Sequence, residues 1–214
     1  MNKKAYIFDL DGTLVNTLSD IASAVNEMLT HYGFDRHSDD EIRLMIGKGA
    51  RNLITRALPE DRRNQEFVDE ALEYYRGCYD RNTVVNSYVY EGLSQVVEAL
   101  KSNGAKLAIL SNKDDRHVKK IVEALLPDCF LFANGFSPLY PHKPAPDSVL
   151  AMISDMGVAK EEAAYVGDSA VDVQTARNAG IYSVGVTWGF GGVGSFSDCK
   201  PDVLVNTPEE ILKI

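Results

Sequence analysis

Two aspartates, Asp9 and Asp11, stand at the end of a short apolar run, Ala5-Tyr6-Ile7-Phe8, and are followed at once by Gly12-Thr13. The run has the length and residue types of a buried strand. A glycine followed by a threonine suits a chain turning off a sheet edge. Side chains two apart on a strand share a face, so the strand delivers two carboxylates to its tip, where the chain begins to turn. Like charges so close repel unless a cation or a proton intervenes. A hard divalent metal such as Mg2+ prefers oxygen ligands and suits such a pair. One carboxylate is then free to attack an electrophile while the other handles a proton.

Other polar clusters follow the same rule of placement. Ser111-Asn112 comes after the apolar run 106–110, and Gly167-Asp168-Ser169, with Asp172 just beyond, comes after 163–166. Lys143-Pro144 lies in a loop ahead of a helix opened by Pro146. Each has an ordinary reading by itself. A Ser-Asn pair after a strand makes a turn or a helix cap. Lys143 alone reads as a solvated lysine, and Asp172 as a salt-bridge partner of Lys143 or a residue near a helix start. Asp168 is harder to dismiss, because an acid at a buried strand end is costly unless paired.

Taken together the clusters suit phosphoryl transfer. An anionic phosphate repels a carboxylate nucleophile. Mg2+ held by Asp9, Asp168 and a carbonyl at Asp11 would neutralise that repulsion and bridge phosphate oxygens. Lys143 would add a second positive charge as a phosphate binder. Ser111-Asn112 would hydrogen-bond the remaining oxygens through the hydroxyl and nearby N–H groups. Asp9 would attack phosphorus, and Asp11 would protonate the leaving alkoxide and later deprotonate water. Asp172 is expected to support the site from behind.

Asp9-Leu10-Asp11-Gly12-Thr13-Leu14, Ser111-Asn112, Lys143-Pro144 and Gly167-Asp168-Ser169-Ala170-Val171-Asp172 resemble the four motifs of the haloacid dehalogenase-like phosphohydrolases, across nearly the whole chain. The resemblance implies a magnesium-dependent phosphatase working through an aspartyl-phosphate. Dehalogenases of that superfamily lack the second aspartate of the first motif, and Asp11 is present here. The segment between the first and second motifs resembles the cap of the phosphoglycolate phosphatase-like branch. Met45-Ile46-Gly47-Lys48-Gly49 is similar to that branch's specificity loop, which implies that Lys48 meets an anionic substrate group; the plainer reading is a lysine on an exposed helix end. By the same resemblance, 2-phosphoglycolate leads the substrates, with pyrophosphate and nucleoside monophosphates as alternatives. A sugar phosphomutase would share Asp9 and Asp11, but those enzymes tend to carry Val or Ile where this chain has Thr13. A non-catalytic module on the same fold is the remaining alternative. Tyr88-Val89-Tyr90-Glu91-Gly92 lacks the proline that relatives usually place before the tyrosine, a departure that touches the hinge.

Periodicity supplies the scaffold. Leu18, Ile21, Ala22, Val25, Met28 and Leu29 have helical spacing. Ser38 with Glu41 reads as a capping box. Further helices are expected over about 50–58 and 62–79. Beyond Tyr88 the chain alternates: helix 93–102, strand 106–110, helix 114–125, strand 130–132, helix 146–156, strand 163–166, helix 171–178, strand 181–186, strand 203–205 and a last helix opened by Thr207. Such alternation implies an α/β fold, a Rossmann-like parallel sheet with helices on both faces, with ligands beyond the carboxyl ends of the strands. Residues 1–16 and 87–214 are expected to form this core, and 17–86 an inserted helical cap.

The chain of 214 residues is long enough for such a core plus insert. Hydrophobic content of 45% and charged content of 25% are ordinary for a soluble globular protein. A formal net charge of -9 argues against nucleic acid as a partner. No apolar run approaches the ~20 residues that cross a bilayer, and the amino-terminal apolar run is too short for a signal peptide. Cys78, Cys129 and Cys199 are widely separated and read as reduced and structural. A cytoplasmic enzyme of small phosphorylated metabolites, monomer or homodimer, is the expectation. Gly189-Phe190-Gly191-Gly192-Val193-Gly194 matches G-x-G-x-x-G, but the residues after it make a poor helix, so it reads as a flexible loop rather than a dinucleotide site. Gly47-Lys48-Gly49 likewise lacks the spacing of a Walker loop.

Overall fold

The computed structural model describes residues 3–214. Its main sheet has six parallel strands: β1 (Ala5–Phe8), β4 (Lys106–Asp114), β5 (Phe132–Phe136), β6 (Ala163–Gly167), β7 (Tyr182–Val186) and β8 (Val203–Val205). They lie in the order β5-β4-β1-β6-β7-β8. The chain builds outward from β1 in one direction and then in the other, so β1 and β6 meet where the order reverses. In open α/β sheets that crevice is where ligands bind.

β1 shows why the sheet needs cover on both sides. All its residues are buried. Tyr6 and Phe8 pack into one cluster with Val96 and Val97 of α5 (Leu93–Ser102) and Val118 and Ile121 of α6 (Asp115–Leu125). Ala5 and Ile7 pack into another with Val149 and Met152 of α7 (Asp147–Asp155) and Ala176 of α8 (Ala170–Ala179). Alternate side chains of one strand thus feed two cores, the arrangement of a parallel sheet between helical layers.

The segment after β1 packs on its own buried cluster. It comprises α1 (Leu18–His31), α2 (Asp39–Arg43), α3 (Ala50–Ala57) and α4 (Gln65–Arg81), which share Val25, Met28, Ile54, Leu72 and Tyr79 among others. The capping box of α2 forms, Ser38 accepting from the Glu41 N–H while Glu41 accepts from the Ser38 N–H. The two passages into this segment are joined by a ribbon absent from the sequence reading: β2 (Val15–Asn16) pairs antiparallel with β3 (Tyr88–Val89). Next to it the buried Asp20 carboxylate accepts N–H bonds from Val85, Asn86 and Ser87 at 2.9–3.1 Å and the Ser87 hydroxyl at 2.6 Å. Burial works against this charge, yet the hydrogen bonds from Ser87, Asn86 and Val85 hold its carboxyl below the usual range.

Several elements differ from the sequence expectation. β4 runs on to Asp114, with a register break between Leu110 and Asp114, so Ser111 and Asn112 lie within the strand rather than after it. The strand expected at 130–132 is Phe132–Phe136; it carries Asn134 and Gly135, residues of low strand propensity. Thr17 occupies the N-cap of α1 but makes no cap bond. Its hydroxyl is committed to Asp11 instead. Thr207 and Glu210 do form a capping box, but the turn that follows, Pro208–Lys213, is a 3-10 helix.

Candidate active site

The polar clusters meet at the carboxyl ends of β1, β4 and β6. Asp9, Asp11, Ser111, Asn112, Asp168 and Lys48 all line one cavity of about 470 Å³ between the sheet and the helical segment. Leu53, Tyr75 and Tyr79 supply apolar wall from the helical side.

Asp9 leaves β1 with its backbone N–H bonded to the Val166 carbonyl, which fixes it beside β6. Its Oδ1 accepts from the Leu10 N–H at 2.8 Å and from the Lys143 ammonium at 3.0 Å. Lys143 also donates to Asp172 Oδ1 at 2.8 Å and to the Tyr165 hydroxyl at 2.9 Å. Tyr165 in turn donates to the Leu110 carbonyl at 2.7 Å. The three N–H donors of the ammonium are therefore in use. It lies beneath the cavity, its side chain 3% exposed. This corrects the expectation of a solvated lysine: Lys143 is buried and holds the Asp9 carboxylate. Burial disfavours its charge, but the Asp172 and Asp9 carboxylates outweigh burial and raise its pKa well above the ordinary lysine range.

Asp172 both pairs with Lys143 and caps α8. Its Oδ2 accepts from the Ser169 N–H at 3.1 Å and hydroxyl at 2.6 Å. The two roles weighed for it in the sequence coexist. Asn112 lines the cavity, and its side-chain amide bonds the backbone of Lys143 and the Gly47 carbonyl. Ser111 is buried, and its hydroxyl accepts from the Lys113 N–H at 3.2 Å.

Asp11 turns its carboxylate toward the helical side. Oδ1 accepts from the Thr17 hydroxyl at 2.5 Å and from Lys113 Nζ at 2.9 Å. Lys113 was missed in the sequence. It stands two residues beyond Ser111 on an extended backbone, so the period of a strand places it on the same face. Its ammonium is 4.6 Å from the centre of the Tyr79 ring. Arg43 and Arg56, also missed, line the cavity from the helical side; nothing in local spacing marks them.

Asp9, Asp168 and Asp172 offer oxygens within 4.8 Å of one another. Asp172 is committed on both oxygens to short bonds, from Lys143 at 2.8 Å and the Ser169 hydroxyl at 2.6 Å, whereas Asp168 makes only long ones, so Asp9 and Asp168 are the carboxylates suited to a cation. Asp11 would join them only through its backbone carbonyl. Around Asp168 the chain is packed to leave no slack. It accepts from the Gly191 N–H at 3.3 Å and the Thr13 hydroxyl at 3.5 Å, and Ser195 donates to its carbonyl at 2.8 Å. The glycine-rich stretch thus forms the wall that holds Asp168, and the Trp188 indole N–H ties the same loop to the Thr13 carbonyl at 3.0 Å. Burial pushes the Asp9 carboxyl up to about 7, with Lys143 pulling down and Asp172 and Asp11 pushing up. Burial, then Asp172 and Asp9, push Asp168 up to about 8. Two buried carboxyls that are costly to charge form a donor set that fits a divalent cation, whose charge would reverse both shifts.

Comparison with known proteins agrees with this geometry. Residues 6–186 match the model of the family described as haloacid dehalogenase-like hydrolase. A phosphoglycolate phosphatase of Aquifex aeolicus is 32% identical over 99% of this chain and 96% of its own length. One of Mannheimia succiniciproducens is 33% identical over 97% of this chain and 96% of its own. The crystal structure of a predicted phosphoglycolate phosphatase from Haemophilus somnus superposes with a TM-score of 0.92, at 30% identity, over 100% of this chain and 98% of its own. With six parallel strands, carboxylates at the point where their order reverses and relatives matched end to end, the chain belongs to the haloacid dehalogenase-like hydrolase family and is phosphoglycolate phosphatase-like within it.

Proposed function

We propose that this chain is a magnesium-dependent phosphatase for a small phosphomonoester bearing a second anionic group, of which 2-phosphoglycolate is the leading candidate. The observation that carries the reading is the Asp9 carboxylate fixed on the cavity wall by the Lys143 ammonium at 3.0 Å, beside Asp168. The names of the relatives supply the reaction class and the substrate. Residues 17–86 act as a cap over a core of 1–16 and 87–214, a division supported by their separate buried clusters.

Asp9 and Asp168, with the carbonyl of Asp11, would hold Mg2+, which neutralises phosphate charge when bound. An Asp9 oxygen forms a bond to phosphorus as the ester oxygen departs, giving an aspartyl-phosphate. Asp11 donates its proton to the departing alkoxide. The same carboxylate then takes a proton from water. The water oxygen attacks phosphorus, the bond to Asp9 breaks, and phosphate leaves with Asp9 and Asp11 restored. Lys143 and the Leu10 N–H keep Asp9 oriented throughout. Thr17 and Lys113 do the same for Asp11. Arg43, Lys48 and Arg56 give the cap side of an acidic protein a local positive wall suited to the substrate's second charge.

A phosphate-release screen over phosphomonoesters with Mg2+ tests the reading. Asp9→Asn should fall at least ~10²-fold below the wild type, the lower range for a positioned catalytic group. Equal turnover by the two proteins would remove Asp9 as nucleophile.

A further inference from the structure

The loop Gly47-Lys48-Gly49 does not hang free over the cavity. The carbonyl of Gly47 accepts from Asn112 Nδ2 at 3.1 Å, across the boundary between helical segment and sheet. Gly49 lies against the ring of His142: a Cβ built there would be 3.0 Å from His142 Cε1 and 3.3 Å from the Asn112 carbonyl oxygen. Both glycines have positive φ, 111° and 83°, so the loop takes a shape that other residues adopt only with strain.

The surface beneath the loop is built rather than incidental. The His142 ring stacks on Phe136 with centroids 3.8 Å apart and planes 5° from parallel. Its Nδ1 lies 3.3 Å from Asn112 Oδ1. The same Oδ1 accepts from the Lys143 N–H at 2.8 Å, and Nδ2 donates to the Lys143 carbonyl at 3.2 Å. A primary amide has two donors and two acceptor sites, and all are in use. Asn112 is buried, so each lost bond would leave a polar atom without water.

We propose that Asn112 and His142 form a seat that holds the Gly47–Gly49 loop against the sheet, and that through Asn112 the position of this loop is coupled to that of Lys143. Asn112 is thereby a positioning residue. One amide joins the cap loop to the backbone of Lys143, whose ammonium holds Asp9, so cap position and nucleophile orientation are set through one side chain. Gly49 is favoured both by its φ of 83° and because a Cβ there meets the ring. The kinetic test of the seat rests on the phosphomonoester reading of the cavity; the seat itself does not.

Two measurements test it. Amide hydrogen exchange of the full-length protein needs no substrate. In Asn112→Ala and in His142→Ala, exchange across residues 45–50 should quicken severalfold while the β6 peptide, the check on folding, stays as in the wild type. Unchanged exchange at 45–50 in the folded variants overturns the seat. The second measurement is a double-mutant cycle on kcat/KM for 2-phosphoglycolate. Gly49→Ala should lower it in both backgrounds, because its φ of 83° strains any other residue, but by severalfold more with the ring present than once His142→Ala has removed it, as contacting sites are non-additive. Equal effects in both backgrounds would show that the loop does not rest on the ring. If the wild type releases phosphate from no phosphomonoester, the functional reading fails, and exchange alone still decides the seat.

Discussion

Lys143 has three acceptors around its ammonium and a side chain 3% exposed. Removing it leaves Asp9 and Asp172 facing each other without a counter-charge. Lys143→Met should therefore lower unfolding free energy by about 3–5 kcal/mol, the usual cost of breaking a buried ion pair from one side. Denaturant melts measure this, and an unchanged midpoint would mean that the carboxylates find other partners. A second expectation at this scale concerns pH. The folded pKa values of Asp9 and Asp168, about 7 and about 8, lie above the ordinary 3.8. Above 3.8 the folded protein holds protons that the unfolded chain has lost, so stability falls as pH rises through the folded values. Metal-free protein should lose roughly 2–3 kcal/mol between pH 6.5 and 8.5. His117 and His142, lowered by burial, change charge below that window. Added Mg2+ should raise Tm more at pH 8.5 than at 6.5; a flat profile with chelator would contradict the assigned burial of charge. Of these residues, Asp9, Asp11 and Asp168 were legible because a carboxylate at the end of an apolar run stands out. The placement of Lys143 beneath the cavity was not, since nothing in its neighbours Pro141, His142 and Pro144 signals burial.

At the scale of elements, the turn after β1 is the tightest fit. Gly12 has φ 83°, and a Cβ there would stand 2.6 Å from Asp168 Oδ2 and 3.0 Å from Phe190. Gly12→Ala should displace Asp168 and weaken Mg2+ binding by about tenfold or more, within the range seen when groups that orient metal ligands are lost. Calorimetric titration reads this directly, and wild-type affinity in the variant would show that Asp168 is not a ligand. The helices and β1, β6 and β8 could be read from periodicity because each is bounded by turn residues and buried on predictable faces. The β2–β3 ribbon could not. Each of its strands is two residues long and is defined by a partner about seventy positions away. β5 was misplaced because Phe130 and Leu131 look more strand-like than Asn134 and Gly135, and pairing with β4 overrides that preference. The chain past Thr207 kept its cap but only a 3-10 turn formed.

For the whole molecule, the net charge of -9 sets the problem that the fold solves. A phosphorylated substrate must enter an acidic protein and approach the Asp9 carboxylate, the nucleophile of the proposed reaction. The cavity wall answers with Arg43, Lys48 and Arg56 from the helical side and Lys113 from the sheet, while Lys143 stabilises Asp9 from below. Sequence motifs located the carboxylates on the sheet side. They did not locate the arginines, because which side chains of the helical segment face the sheet depends on how it docks. The central claim is covalent: Asp9 carries the phosphoryl group. Asp11→Asn tests it when given an aryl phosphate labelled on phosphorus, whose leaving group needs no proton, together with Mg2+. With no base for the second step, label should accumulate on the peptide containing Asp9 after acid quench and proteolysis. Label on another residue, or phosphate released at the wild-type rate with none retained on the protein, would contradict the account.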